Sequence, residues 1–264
     1  MTTAEGYIDV EGGTLWFERA GDGFPVVLIH AWLWDARIWD EQFDGFSRHH
    51  DVVRYDLRGS GRSSQSVGPY SELRDLLSLL DALDIGRCAL VGCGSGARLA
   101  LDLALASPGS VEGLVLAPPG LSGYRWLDPG LPVLRGEVSR AVRAGDLEGA
   151  MDLELAVWAP PGPDPASDER VRTIAMDNLR VLRVERPAAE EPPSAVDRLD
   201  EVGAATLVVV GDRDLAETHQ IADRLASNIP GARKRVIADA DLLVNVRKPE
   251  KFDRLVLDFL AFRS

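Results

Sequence analysis

Residues 90–96 read Leu-Val-Gly-Cys-Gly-Ser-Gly, which has the spacing of a nucleophile elbow, the sharp strand-to-helix turn that presents an attacking side chain. Gly92 and Gly96 occupy the two positions that must be small, because the strand and the helix approach each other closely there. Gly94 occupies the centre, where the attacking side chain belongs. The pattern therefore predicts the turn and argues against ordinary acyl-enzyme chemistry.

The composition predicts a globular protein with room for one α/β domain and an insertion, since the chain has 264 residues, 45% hydrophobic and 27% charged. A formal net charge of −13 disfavours nucleic-acid or anionic-membrane partners, which need a basic face. We expect a hydrophobic or aromatic small-molecule ligand and a monomer or homodimer, with no membrane contact.

The cysteine content and the chain start predict a cytoplasmic protein. Cys88 and Cys93 lie five residues apart on one expected strand, too far for a disulfide between them, which is typical of a reducing compartment. The N-terminal residues lack a basic start and an apolar run, and no stretch approaches the roughly 20 apolar residues of a membrane span.

Short apolar or β-branched runs alternate with amphipathic stretches, which is typical of a largely parallel sheet. The predicted strands are Tyr7–Val10, Leu15–Arg19, Val26–His30, Val52–Tyr55, Ala89–Cys93, Leu114–Ala117, Leu207–Val210 and Arg235–Ile237. The predicted helices cover about 36–46, 71–84, 95–107, 217–228 and 248–262. A glycine turn at 11–13 joins the first two strands, so we expect the sheet to begin with an antiparallel hairpin.

Between residues 118 and 201 the alternation stops, and proline-rich breaks separate segments that have helical period but no strand pattern. We predict a helical cap at 120–198 inserted into a core formed by 1–119 and 199–264. The charged run 180–191 is typical of a solvated helix face.

Five motifs follow one another in the order found in one known family. They are Leu28-Ile29-His30-Ala31-Trp32, the glycine turn 55–63, the elbow, Gly211-Asp212-Arg213-Asp214 and Pro249-Glu250-Lys251-Phe252. In these motifs the chain resembles the α/β-hydrolase superfamily over its whole length, particularly an actinobacterial branch of small esterases and lactonases with a helical cap. The resemblance implies a mostly parallel eight-stranded sheet with helices on both faces.

The family's chemistry needs a nucleophile, a histidine base and a carboxylate that orients the histidine. The resemblance places Gly94 at the nucleophile position, Leu242 at the histidine position, seven residues before Pro249, and Asp214 at the acid position. Two other residues near the turn are candidate nucleophiles, Ser95 and Cys93. Ser95 is sterically possible in a shifted register but has no histidine in the expected loop, and Cys93 precedes the turn and has no group nearby to lower its pKa.

Asp214 has two interpretations. As a buried carboxyl without an imidazole partner, it is expected to titrate above its ordinary pKa and to shuttle a proton. Alternatively, it is a structural residue satisfied by backbone N–H groups of its own loop. His219, five residues later, could turn toward Asp214, although a histidine in the first turn of a helix is more often solvent-facing.

The family's oxyanion hole uses backbone N–H groups, here those of Trp32 and Ser95, which do not depend on side-chain identity. A carbonyl could still be polarised there, so elimination, isomerisation, cyclisation or carbon–carbon cleavage is expected in place of acyl transfer. The histidines and carboxylates show no metal-ligand spacing, and no cofactor is expected.

Aromatic residues gather near the expected site, after the third strand and in the cap. Trp34, Tyr124, Trp126 and Trp158 are predicted with Trp32 to form an apolar pocket, whereas Trp39 is interpreted as a core residue. Arg98, one helical turn after Gly94, is interpreted either as part of a salt bridge at the solvated rim or as a clamp for a ligand carboxylate.

The leading functional hypothesis is a cofactor-independent, non-hydrolytic enzyme of specialised metabolism acting on a hydrophobic small molecule. One alternative is a non-catalytic pseudoenzyme that binds a small ligand. Another is an esterase- or lactonase-type hydrolase that is disabled or uses substitute residues.

Overall fold

The computed structural model describes residues 3–183 and 192–261, and within these ranges eight strands form one mixed sheet. The strands are β1 (Ala4–Val10), β2 (Gly13–Ala20), β3 (Pro25–Ile29), β4 (Asp51–Tyr55), β5 (Cys88–Gly92), β6 (Val111–Leu116), β7 (Ala205–Gly211) and β8 (Arg233–Ile237). The helices are α1 (Asp40–Phe46), α2 (Glu72–Ala82), α3 (Ser95–Ala106), α4 (Gly130–Ala144), α5 (Leu147–Trp158), α6 (Pro165–Asp177), α7 (Arg180–Arg183), α8 (Ala216–Asn228), α9 (Val244–Arg247) and α10 (Pro249–Leu260). Short 3₁₀ turns cover Ala36–Trp39 and Leu199–Glu201.

The strand order is β1-β2-β4-β3-β5-β6-β7-β8. β1 and β2 form an antiparallel hairpin, in which Tyr7 faces Trp16, and β2 also runs antiparallel to β4. The pairs from β4–β3 through to β7–β8 are parallel. The predicted α/β-hydrolase fold, with its mostly parallel sheet and opening hairpin, is therefore confirmed.

The sheet is covered on both faces, which explains the nearly continuous apolar runs of its strands. Along β3, Val26 and Leu28 pack into a core with α1 and α10, whereas Val27 and Ile29 pack into a second core with α2, α3 and α8. All four side chains are fully buried. Because successive strand residues point to opposite faces, this alternation fixes the sheet between two helical layers.

The chain leaves the sheet after β6 and returns at β7. The described residues between these strands form α4–α7 and a 3₁₀ turn but no strand. The predicted cap overlaps this insertion, although its residues 184–191 lie outside the described ranges. Trp34 ties the insertion to the sheet, because its indole Nε1 donates to the carbonyl of Val171 in α6 at 3.0 Å. No helix within the described ranges is both long and apolar enough to cross a membrane.

The carboxyl ends of the parallel strands bring the distant motifs to one edge of the sheet. Gly94 follows β5, and Trp32 follows β3. Asp214 follows β7, and Leu242 follows β8. The fold thus assembles residues separated by more than 200 positions at one place.

Candidate active site

The elbow connects β5 to α3 through Gly94, whose backbone has φ +54° and ψ −112°. A positive φ favours glycine, because a side chain there strains the backbone. A Cβ placed on Gly94 would lie 3.3 Å from the Cβ of Ala31 and 3.9 Å from Cδ1 of Leu242. A Cβ at position 94 would therefore be in tight contact with Ala31 and in ordinary van der Waals contact with Leu242, and both neighbours are side-chain atoms.

The two flanking glycines are restricted much more strongly than Gly94. A Cβ on Gly92 would lie 2.5 Å from the backbone nitrogen of Ala97, and a Cβ on Gly96 would lie 2.3 Å from the carbonyl oxygen of Ile29. Both contacts are with backbone atoms, which cannot rotate away. The close approach of β3, β5 and α3 therefore requires glycine at both positions.

The loop after β3 is held by His30, which is fully buried. The backbone N–H of Leu57 donates to His30 Nε2 at 2.8 Å, so that nitrogen carries no proton. Its Nδ1 lies 2.9 Å from the carbonyl oxygen of Ala31 and donates to it. Both ring nitrogens are occupied, so His30 positions the loop that carries Trp32 and supplies no base.

A cavity of about 230 Å³ lies above the elbow. Its lining includes Trp32, Gly94, Ser95, Trp126, Trp158 and Leu242. Trp126 and Trp158 meet edge to face, with ring centroids 5.9 Å apart and planes at 90°. A concave, aromatic and mostly apolar lining is typical of a small-molecule site.

The polar groups of this lining are few. The hydroxyl oxygen of Ser95 is buried and has no hydrogen-bond partner among the described residues. Thr218, in the first turn of α8, also contributes to the wall. A ligand with one or two polar atoms would satisfy such groups better than a highly polar ligand.

The other aromatic residues predicted for the pocket differ in placement. Trp34 borders the cavity but is only 1% exposed, and its indole is used in the bond to α6. Tyr124 does not belong to the cavity lining described here. It packs edge to face on Trp126 at 5.8 Å, and its hydroxyl donates to Gln220 at 3.4 Å. Tyr124 therefore packs against a residue of the cavity lining without lining the cavity itself.

Asp214 lies outside the main cavity. Its carboxylate accepts the backbone N–H of Gly211 at 2.8 Å. The pKa of Asp214 is raised to about 7, chiefly by burial and also by the negative charges of Asp241 and Asp212, whereas the hydrogen bond from Gly211 lowers it. The pKa of this carboxyl group therefore lies close to neutral pH.

A separate void of about 10 Å³ adjoins Asp214 and Asp241. Leu242, Trp158 and Thr218 border both this void and the main cavity. These side chains thus stand between the two spaces. His219 borders neither space, and no side-chain contact brings it to Asp214 among the described residues.

The loop that carries Leu242 is fixed by polar side chains. Asp241 accepts the backbone N–H of Leu243 and the Nε of Arg247, both at 3.0 Å. Arg247 also reaches α6 by donating to the hydroxyl of Ser167 at 2.9 Å. The position of Leu242 is therefore set by a buried ion pair.

Cys93 links this loop to the elbow, because its thiol donates to the carbonyl of Leu242 at 3.4 Å. Burial raises the pKa of Cys93 well above its ordinary value, and the charges of Asp214 and Asp241 add to this effect. A thiol with a raised pKa is a poor nucleophile. Cys93 is therefore a packing residue.

Arg98 borders the cavity, but its guanidinium is paired with two carboxylates, those of Glu72 and Asp102. The interpretation of Arg98 as a salt-bridge residue therefore agrees with the structure better than that of a free clamp. Sequence reasoning missed Thr218 and Asp102. Thr218 could have been found by its place at the start of the helix predicted to follow the Asp214 loop.

Three comparisons with known proteins agree with this architecture. Residues 26–255 match the sequence pattern of a family described as "Alpha/beta hydrolase family". A protein named carbamate hydrolase RutD from Rhizobium rhizogenes is 31% identical, covering 92% of this chain and 95% of its own. A 2-hydroxy-6-oxononadienedioate/2-hydroxy-6-oxononatrienedioate hydrolase from Paraburkholderia xenovorans is 30% identical, covering 94% and 90%.

The crystal structure of an enol-lactonase from Burkholderia xenovorans superposes with a TM-score of 0.77 at 25% identity, covering 97% of this chain and all of that one. These names correct one expectation from the sequence. The hypothesis of elimination, isomerisation, cyclisation or other non-hydrolytic chemistry is wrong, because the similar proteins are hydrolases. An oxyanion hole by itself does not distinguish these reactions from hydrolysis, since both polarise a carbonyl.

Proposed function

The chain belongs to the alpha/beta hydrolase family, and we propose that it is a disabled esterase- or lactonase-type member that binds an apolar ester or lactone without forming an acyl-enzyme. The observation that carries this proposal is the pair formed by Gly94 and Leu242, which face each other on the cavity floor. Neither residue has a side chain that can attack a carbonyl or accept a proton.

The expected loss of acyl transfer is large. Acyl transfer in this family needs a hydroxyl or thiol and an imidazole that removes its proton. Removing the nucleophile or the base of such a triad lowers the rate by about six orders of magnitude. With glycine and leucine in these places, we expect no turnover through a covalent intermediate.

Ligand binding uses groups that the chain retains. The N–H of Ser95 belongs to the first residue of α3, so it has no acceptor within the helix. It lies at the positive end of the helix dipole, which favours a carbonyl oxygen. The indoles of Trp32, Trp126 and Trp158 offer apolar contact to the rest of the ligand. In this proposal α4–α7 act as the cap over the ligand.

Binding and turnover can be measured separately with methyl 2-naphthoate, a neutral aromatic ester. Tryptophan fluorescence should show saturable binding, and chromatography should detect no naphthoate above the buffer rate. Trp126→Ala should weaken binding at least about fivefold, because it removes a cavity wall. Trp16→Phe is the matched control, since Trp16 lies outside the cavity lining, and it should leave affinity unchanged. Absence of binding by the wild-type chain would refute the proposal.

A second candidate function is direct hydrolysis by water, with Asp214 as general base. The pKa of about 7 favours it, because a base works best when its pKa lies near the working pH. Leu242 stands between Asp214 and the cavity, which opposes it. If slow hydrolysis of methyl 2-naphthoate is detected, Asp214→Asn should abolish it and Leu242→Ala should accelerate it. Hydrolysis with these properties would replace the first proposal.

A further inference from the structure

Arg98 in the cavity wall belongs to a compact charge cluster, whose two carboxylates, Glu72 and Asp102, pair with it outside the cavity lining. Arg98 lies on α3 and borders the cavity. Its guanidinium pairs with Glu72 at the start of α2 and with Asp102 one turn later on α3, the latter at 3.0 Å. The side chains are 25%, 16% and 3% exposed, respectively, so solvent screens them weakly.

The cluster has one positive and two negative formal charges, hence a net charge of −1. The guanidinium donates one N–H to each of the two carboxylates. Because these carboxylates already outweigh its charge, a ligand carboxylate beside Arg98 would add a third negative charge to the cluster. In a partly buried setting, the repulsion between like charges is stronger than it is in water.

We propose that Arg98, Glu72 and Asp102 form a charge-selecting wall that lets the cavity bind uncharged carbonyl ligands and reject carboxylates. This inference rests on the proposed function, because it names the ligand class of the same cavity. It assigns Arg98 a role opposite to that of a carboxylate clamp.

Asp102 makes the selection sensitive to pH. Ser122 donates to one oxygen of Asp102 at 2.7 Å, while its other oxygen is buried without a partner among the described residues. The pKa of Asp102 is raised to about 6, chiefly by burial and also by the charge of Glu72, whereas Ser122 and Arg98 lower it. Burial raises the pKa of Tyr55 on β4 well above its ordinary value, and the negative charge of Glu72 adds to this effect. As Asp102 takes up a proton on acidification, the net charge of the cluster moves from −1 toward zero, and the rejection should weaken.

The test compares methyl 2-naphthoate with 2-naphthoate, which share one ring system and differ in charge. At pH 8 the wild-type chain should bind the ester at least about tenfold more tightly. Glu72→Gln and Asp102→Asn should each raise the affinity for 2-naphthoate at least about fivefold and leave that for the ester within twofold. Glu18→Gln is the matched control, because it removes a carboxylate from the comparable ion pair with Arg54 outside the cavity lining, and it should change neither affinity.

Repeating the titrations at pH 5.5 favours the protonated form of both Asp102 and Asp214, and the Asp102→Asn variant separates their effects. The wild-type affinity for 2-naphthoate, relative to the ester, should rise, and Asp102→Asn should remove this rise. Should Asp102→Asn fail to fold, Glu72→Gln still tests the wall. Ester binding together with equal or tighter 2-naphthoate binding at pH 8, lost in Arg98→Met, would overturn the charge-selecting wall and leave the proposed function standing. Failure of the wild-type chain to bind the ester would overturn both.

Discussion

The elbow at 92–96 and the loop at 238–243 meet on the cavity floor, but they are supported in different ways. The elbow is set by backbone contacts that exclude any side chain at Gly92 and Gly96. The loop is set by side chains, chiefly the buried pair of Asp241 and Arg247. Neither kind of support depends on a side chain at the two positions that face each other, 94 and 242. Packing can therefore preserve the shape of a reaction site independently of its reactive groups.

The largest expected effect comes from supplying both reactive groups at once. Gly94→Ser with Leu242→His should raise hydrolysis of 4-nitrophenyl butyrate at least about a thousandfold, equivalent to about 4 kcal/mol, because Asp214 follows β7 at the same edge of the sheet and can orient the new imidazole. Initial rates monitored by absorbance measure this change. Each single variant should stay within about tenfold of wild type. A Gly94→Ser variant as active as the double variant would contradict this expectation, because it would show that another residue acts as the base.

The next effect separates the glycines within the elbow. Gly96→Ala should lower the free energy of unfolding by about 4 kcal/mol or more, since its Cβ would lie 2.3 Å from the carbonyl oxygen of Ile29. Gly94→Ala should lower it by only about 1–2 kcal/mol, because the cost there is backbone strain at positive φ. Urea denaturation of both variants measures the difference. Equal losses would show that the two positions are not distinguished by packing.

The smallest effect concerns Asp214 and has an unusual sign. Its folded-state pKa of about 7 exceeds the ordinary 3.8, so the folded state binds more protons between these values and wild-type stability falls as pH rises through them. Asp214→Asn removes this pH-dependent loss of folding stability. The variant should exceed wild type by about 2 kcal/mol at pH 8, within an upper bound near 4 kcal/mol for three pKa units. Urea denaturation should show that the advantage disappears below pH 4, and an advantage that is independent of pH would contradict the burial of this carboxyl.

The sequence was sufficient to predict the elements that bring the site together. Each of the eight predicted strands overlaps an observed one, because the strands are short apolar runs separated by glycine and polar turns. The predicted strand begins three residues after the observed start of β6 at Val111, because Glu112 and Gly113 interrupt the apolar run. The elbow was equally predictable from the sequence, because glycines at 92 and 96 indicate that two backbone segments approach each other closely.

The contacts around the cavity were not predictable in the same way. The sequence does not show that Leu242 stands between Asp214 and the cavity, because this depends on how the ends of β7 and β8 lie beside α5. The partners of Arg98 illustrate the same limit. Asp102 follows it by one helical turn and could be anticipated, whereas Glu72 comes from a separate helix. Such pairings arise from packing between elements, which local patterns do not encode.

The perpendicular indole rings of Trp126 and Trp158 should contribute a characteristic band to the near-ultraviolet circular dichroism spectrum. Two closely spaced chromophores couple their electronic transitions, and the coupling depends on their distance and mutual angle. Near-ultraviolet circular dichroism therefore reports the geometry of the cavity wall without any added label. A compound that separates the two indole rings would change this spectrum even at wavelengths that the compound itself does not absorb.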